Sequence, residues 1–168
     1  MINLKRILVP SDFSECSEAA VRYGLELARK FGAKLYLLHV VQDPATQPWA
    51  ADGFAVPLLE AVDQWQKDAT IRLENSIPAE DRANASVFCA IASPFPEILR
   101  FAADNAIDLI VMGTHGRGGV SHMLLGSIAE KVVRRAPCPV LTVRQPEHEF
   151  VEPGLELSAA ATALAASR

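Results

Sequence analysis

An α/β sandwich, with helices on both faces of a mostly parallel sheet, is the fold class that this sequence predicts. Short continuous apolar runs recur along the chain, the segments between them repeat apolar residues at helical spacing, and proline or glycine marks most of the transitions. With 168 residues, 50% of them hydrophobic and 21% charged, the chain is long enough to bury a core without disulfides or a structural metal. One compact domain is expected, rather than a disordered tail protein or a tandem array.

Ile7-Leu8-Val9, bounded by Pro10 and the polar cluster Ser11-Asp12-Phe13-Ser14, reads as a first strand buried on both faces and ending in a loop. Ser14 then caps a helix with Glu15 and Glu18 in its first turn, and Cys16, Ala20, Tyr23, Leu27 and Phe31 form its apolar face. Gly32 supplies the left-handed residue that ends it. Leu35-Tyr36-Leu37-Leu38-His39-Val40-Val41 is the second strand, and two buried runs joined by one helix make a parallel βαβ unit with a right-handed crossover.

Residues 42–57 contain Pro44, Pro48 and Gly53 without a clean period, so a long loop is expected, with Trp49 and Phe54 available to fold over a site. From Leu58 a helix follows in which Leu58, Val62, Trp65, Ala69, Leu73 and Ile77 form one stripe, placing Trp65 in the core, until Pro78 stops it. Residues 86–92 give the third strand; Pro94 and Pro96 start a helix with Ile98, Phe101, Ala102 and Asn105 on one face. Leu109-Ile110-Val111-Met112 is the fourth strand. A glycine-rich loop leads to a helix ending at Arg135, and Pro137-Cys138-Pro139 breaks the chain before the last strand, Val140-Leu141-Thr142-Val143, with Cys138 a small buried hydrophobe. Residues 1–145 make up the domain. Residues 146–168, acidic and then alanine-rich, read as an appended tail with helix propensity but a weak apolar face.

Sixteen Lys and Arg against 20 Asp and Glu, a net charge of −4, give no broad positive field for a polyanion, so nucleic acid is not an expected partner. Cys16, Cys89 and Cys138 are an odd set without CxxC spacing, which fits reduced thiols in a cytoplasmic protein. No apolar run is long enough to span a bilayer, and no targeting segment stands out, so no membrane partner is expected. The histidines His39, His115, His122 and His148 show no ligand spacing for a protein metal cage.

The informative stretch runs from Gly113 to Ser127, directly after a buried strand and before a helix. In an open α/β sheet ligands bind outside the carboxyl ends of the strands, where this loop would lie. Ser127 followed by Glu130 fits a capping box, so the last helix is expected to start at Ser127 and turn its first N–H groups toward the loop, an anion site. Neither GxxxxGK[ST] nor a first-strand GxGxxG is present, so P-loop NTPases and NAD enzymes recede. A glycine loop alone reads equally well as a tight surface turn.

Gly113-x2-Gly116-x9-Gly126-Ser127 matches at every position the G-x2-G-x9-G-[ST] pattern of the nucleotide-binding universal stress proteins. Ile7 to Ser14, Leu38-His39-Val40 and Ala136 to Val140 also resemble segments of that family, and the resemblance covers the chain from about Lys5 to Arg144. It implies a five-stranded sheet in the order 3-2-1-4-5, an adenine nucleotide alpha-hydrolase-like fold, and ATP as ligand, with Mg or Mn on the phosphates. In that pattern Asp12 contacts the ribose or adenine side, Pro10 shapes the pocket, the backbone of Val40 meets the adenine edge and Gly113 lies near the ribose. Gly116, Gly126 and Ser127 hold the phosphates. Asp12 has a second reading as a loop or helix cap, and Arg117 is either a phosphate donor or an exposed loop arginine.

The resemblance further implies a homodimer through the final strand, Val140 to Val143, an apolar edge that is a liability unless paired or covered; the tail covering it is the alternative. The function implied is that of an ATP-binding regulator or adaptor in stress response. A slow ATPase or phosphotransferase using the same cleft is the alternative; no established catalytic set accompanies Asp12, His115 and Arg117, so no catalytic residue is assigned. The SGGxDS and HxGH signatures of pyrophosphatases and nucleotidyl transferases on related folds are absent.

Overall fold

The structure is a computed structural model that describes residues 2–42, 55–115 and 125–144, with the backbone alone for 55–61. Five parallel strands, β1 (Arg6–Pro10), β2 (Lys34–Val41), β3 (Ala85–Ile91), β4 (Leu109–Gly113) and β5 (Val140–Val143), form one sheet in the order β3-β2-β1-β4-β5. Four α-helices connect them: α1 (Glu15–Phe31), α2 (Ala55–Asn75), α3 (Pro94–Asp104) and α4 (Ser127–Arg135). The predicted fold class and strand order are those of the structure.

The nearly unbroken apolar strands follow from burial on both faces. Ile7 and Val9 of β1 face the α1 and α2 side together with Leu35, Leu37, Val111 and Val143, while Leu8 faces α3 and α4 with Leu38, Ile110 and Met112. Each fully buried Leu or Ile contributes about 1.5–3 kcal/mol, so the central strands are where the fold is most strongly held. The first two crossovers run one way from β1 and the later ones run the other way. The chain reverses between β1 and β4, and a crevice opens at the carboxyl ends there.

Helix α1 begins as predicted: the Ser14 side chain accepts from the Ser17 N–H, and Gly32 at φ 64° closes the helix, with Ala33 N–H donating to Ala28 C=O at 2.9 Å. Its buried face differs from the expected one. Ser17, Ala20, Gly24, Leu25 and Ala28 lie against the sheet, whereas Phe31 is exposed and Tyr23 and Leu27 pack at the margin. The small residues decide this. A Cβ on Gly24 would lie 2.5 Å from Val9 Cγ2, so α1 approaches β1 more closely than a stripe of large side chains would allow.

Helix α2 starts at Ala55 rather than Leu58, with Pro57 in the first turn where its missing N–H costs nothing, and it ends at Asn75 before Pro78. A 3-10 segment, Ala79–Asn84, then leads into β3, and its Asp81 receives two hydrogen bonds from Arg29 (2.6 and 2.9 Å). Val62, Ala69, Leu73 and Ile77 are buried as expected; Trp65 is not in the core but 46% exposed, on a flank of the stripe shared with Asp68 and Arg72. No helix among the described residues is long and apolar enough to cross a membrane. Residues 43–54, which hold the expected lid with Trp49 and Phe54, and the 146–168 tail lie outside the described residues, as do His122 and His148.

Candidate functional site

A cleft of about 860 Å³ opens at the carboxyl ends of β1, β2 and β4, within the range of small-molecule sites. Pro10, Asp12, Val40, Gly113, Gly126 and Ser127 all line it, although they come from well-separated parts of the chain. Gly116 and Arg117 lie outside the described residues.

Pro10 is the last residue of β1 and brings no N–H to the β4 side, while on the β2 side Ser11 N–H bonds to Leu38 C=O at 2.9 Å. In a strand, successive residues turn their N–H and C=O to opposite sides. Leu38 C=O faces β1, and Val41 C=O faces β3, where it accepts from Ala92 N–H at 3.0 Å. Val40 therefore turns its backbone groups to the β1 side, beyond the point where β1 stops, and they open onto the cleft.

The loop after β1 is closely tied. Asp12 Oδ1 accepts from Ser14 N–H (3.1 Å) and Ser14 Oγ (2.6 Å), Phe13 N–H donates to Ser11 Oγ (3.2 Å), and the buried Ser11 and Ser17 hydroxyls lie 3.2 Å apart. Asp12 thus braces the loop through Ser14, which is itself the helix cap, and it also lines the cleft. Phe13 takes φ 62°, rare for a side chain of its size.

Gly113 and Gly126 are small for reasons of backbone contact. A Cβ on Gly113 would sit 2.8 Å from the backbone of Cys16, so the glycine lets the first turn of α1 close onto the end of β4. A Cβ on Gly126 would lie 3.0 Å from Thr114 C=O, the group that accepts the Gly126 N–H at 2.7 Å. The bare Cα there lets the α4 terminus close onto the end of β4 at the cleft. Ser127 does not cap α4. Gly126 is the N-cap and has no side chain to cap the first turn, and Ser127 is the first helical residue, so the expected Ser127–Glu130 capping box is not formed. The physical reason lies in Thr114: with Gly126 pinned to it, the helix starts one residue earlier than a serine cap requires. The first-turn N–H groups and the Ser127 side chain are left at the cleft, where the dipole favours negative charge.

Helix α2 supplies a wall that its polar sequence did not announce: Trp65, Asp68, Ala69 and Arg72 line the same cleft. His39 Nδ1 lies 2.7 Å from Ser11 C=O, which requires that nitrogen to carry the proton, and its ring packs on Phe13 at 4.5 Å. His115 Nδ1 lies 3.0 Å from Thr114 Oγ1. Among the described residues no group of three His, Cys, Asp or Glu side chains converges as a metal cage would.

The model of the universal stress protein family matches residues 3–144. The chain belongs to that family. Among curated relatives, universal stress protein MJ0531 of Methanocaldococcus jannaschii is 32% identical over 145 residues, covering 86% of this chain and 85% of its own. Among solved structures, UspA from Lactobacillus plantarum superimposes with a TM-score of 0.73 at 32% identity, over 86% of this chain and all (100%) of that one. Two universal stress proteins with less similar sequences share the fold. One, in complex with cAMP, has a TM-score of 0.57 at 22% identity and covers 85% of this chain and 98% of that one. The other, from Archaeoglobus fulgidus in complex with dAMP, has a TM-score of 0.53 at 21% identity and covers 84% and 98%. The architecture of this chain is accordingly the universal stress protein fold, an adenine nucleotide alpha-hydrolase-like sandwich.

Proposed function

We propose that this universal stress protein binds an adenine nucleotide, ATP first among them, and acts in the cytoplasm as a nucleotide-dependent regulator or adaptor in the stress response. The observation that carries this reading is the meeting of three unlike groups on one cleft: the Asp12 carboxylate, the outward-turned backbone of Val40, and the α4 N-terminus with Ser127. They suit a ribose, an adenine edge and a phosphate chain in that order. The cAMP and dAMP held by two proteins of the same fold support the ligand class.

A helix dipole supplies about 0.3–1 kcal/mol, whereas micromolar affinity needs about 8 kcal/mol. Base burial, the Val40 backbone and the glycine segment that includes Gly116 and Arg117 must therefore share the work. A Mg or Mn ion would enter on the phosphates of the nucleotide. Hydrolysis is the second reading, because Asp12 and His115 line the same cleft. Denaturing the freshly purified protein and identifying the released small molecule by mass spectrometry tests the first reading; calorimetry with ATP then measures it. No released nucleotide and no heat of ATP binding would defeat it, while ADP formed from ATP faster than with Ser127→Ala would favour the enzyme.

A further inference from the structure

We propose that Phe13, gripped between Arg72 of α2 and His39 of β2, is a positioning residue of the nucleotide cleft: the grip holds the loop between Ser11 and Ser14 in the one turn that presents Asp12. The proposal rests on the nucleotide reading for its functional consequence and on separate geometry for the grip itself.

Phe13 adopts φ 62°, where a Cβ crowds the following carbonyl, so the turn persists only if its surroundings hold it. One ring and one cation do so. The His39 imidazole lies 4.5 Å from the Phe13 ring, and its Nδ1 proton is fixed on Ser11 C=O at 2.7 Å, which ties the ring to the residue where the turn begins. On Phe13 the Arg72 guanidinium carbon sits 4.0 Å from the ring centroid, within cation–π range. Asp68, one turn earlier on the same flank, accepts from Gln64 Nε2 at 2.8 Å, and the guanidinium of Arg72 turns to the ring.

Asp12 sits inside this bracket. Its Oδ1 bonds to Ser14 and its neighbour Phe13 bonds to Ser11, so a shift at Phe13 displaces the carboxylate that lines the cleft. Helix α2 thereby belongs to the binding machinery without any residue of it matching a nucleotide motif.

The test has two independent arms on the full chain. Arg72→Leu removes the cation from an exposed position and leaves the fold intact; Phe13→Gly accepts the positive φ without strain but loses the grip; Phe13→Tyr keeps the ring. Without nucleotide, amide exchange at Phe13 and Ser14 is expected to rise at least tenfold in Arg72→Leu and Phe13→Gly, with β1 and β4 unchanged and Phe13→Tyr like the parent. With nucleotide, the Kd for adenosine and for ATP is expected to rise by the same factor, tenfold or more, because Asp12 serves the nucleoside part. Exchange equal to the parent in both variants overturns the grip. Faster exchange with unchanged affinity overturns its role in binding. A parent protein that binds neither ligand defeats the nucleotide reading instead, and the exchange arm still decides the grip.

Discussion

Gly126 N–H donates to Thr114 C=O at 2.7 Å, and the carbonyl lies 3.0 Å from where a Cβ on Gly126 would be. The start of α4 is thus fixed to the end of β4 by a contact that only glycine makes without displacement. Gly126→Ala is expected to cost about 1 kcal/mol of stability, at the low end for overpacking, and Gly126→Val more. In Gly126→Val the α4 terminus moves off β4, and ATP affinity falls at least tenfold while far-UV circular dichroism is retained. Unchanged affinity by calorimetry would remove Gly126 from the site.

Ser127 offers a sharper distinction, since its hydroxyl lies in the first turn of α4 with no capping duty. Hydrogen bonds to charged groups contribute about 1.5–3 kcal/mol. Ser127→Ala is therefore expected to weaken ATP binding by about tenfold or more and to leave adenosine binding as it was. Equal losses for both ligands would place Ser127 away from the phosphates.

The packing of α1 on β1 makes a prediction against the usual helix preference. Replacing a helical glycine by alanine ordinarily gains about 0.5–1 kcal/mol. At Gly24 the new Cβ would meet Val9 Cγ2 at 2.5 Å in a fully buried contact, so Gly24→Ala is expected to destabilise by about 1–3 kcal/mol. Val9→Ala in the same chain should recover part of that loss. A urea-denaturation double-mutant cycle with no coupling would show that α1 yields elsewhere.

These cases mark how far the amino-acid pattern reaches. Both-face burial writes itself into the strands as unbroken apolar runs, which is why Ile7-Leu8-Val9 and Leu109 to Met112 lead directly to a parallel sheet. Helix ends with a chemical signature, Ser14 and Gly32, are equally legible. Where the structure departs from the pattern, distance decides. The buried stripe of α1 is set by how near Gly24 lets the helix come to Val9, and the start of α4 by Thr114, a residue remote from it in sequence. Trp65 has the spacing of a core residue but lies on the flank that α2 turns to the cleft. Asp12, Val40 and Gly113 could be placed together because strand ends converge in this topology. Phe13, His39 and Arg72 could not, since only the positive φ and the stacking reveal what they do.

β5 is an edge of the sheet and Leu141 on it is 38% exposed. An apolar edge pairs readily with its twin, and one charge inserted there blocks pairing. Light scattering is expected to give a dimer mass for the parent protein and a monomer mass for Leu141→Lys with unchanged circular dichroism. A chain ending at Arg144 should remain dimeric. Monomers in all three would defeat the β5 dimer.

The thiols carry a pH dependence whose sign follows from burial. Desolvation pushes the pKa of Cys89 and Cys138 up, and for Cys138 the nearby Asp108 charge adds to it against a backbone hydrogen bond with Ile110. A thiol whose pKa is higher folded than unfolded holds its proton in the native state after the unfolded chain has begun to lose it. Its contribution is complete below about pH 8.5, the ordinary thiol value, and is lost as pH rises through the native one. The urea midpoint is therefore expected to fall between pH 8 and pH 10, and to fall less in Cys138→Ala. The same burial keeps the reactive thiolate scarce, so iodoacetamide should alkylate Cys89 and Cys138 more slowly at pH 7.5 than it alkylates glutathione. Alkylation of either residue as fast as the free thiol would show that its sulfur is open to water and that Cys138, half-buried rather than the fully buried hydrophobe its sequence suggested, does not pack against the core on the α3 and α4 side of the sheet.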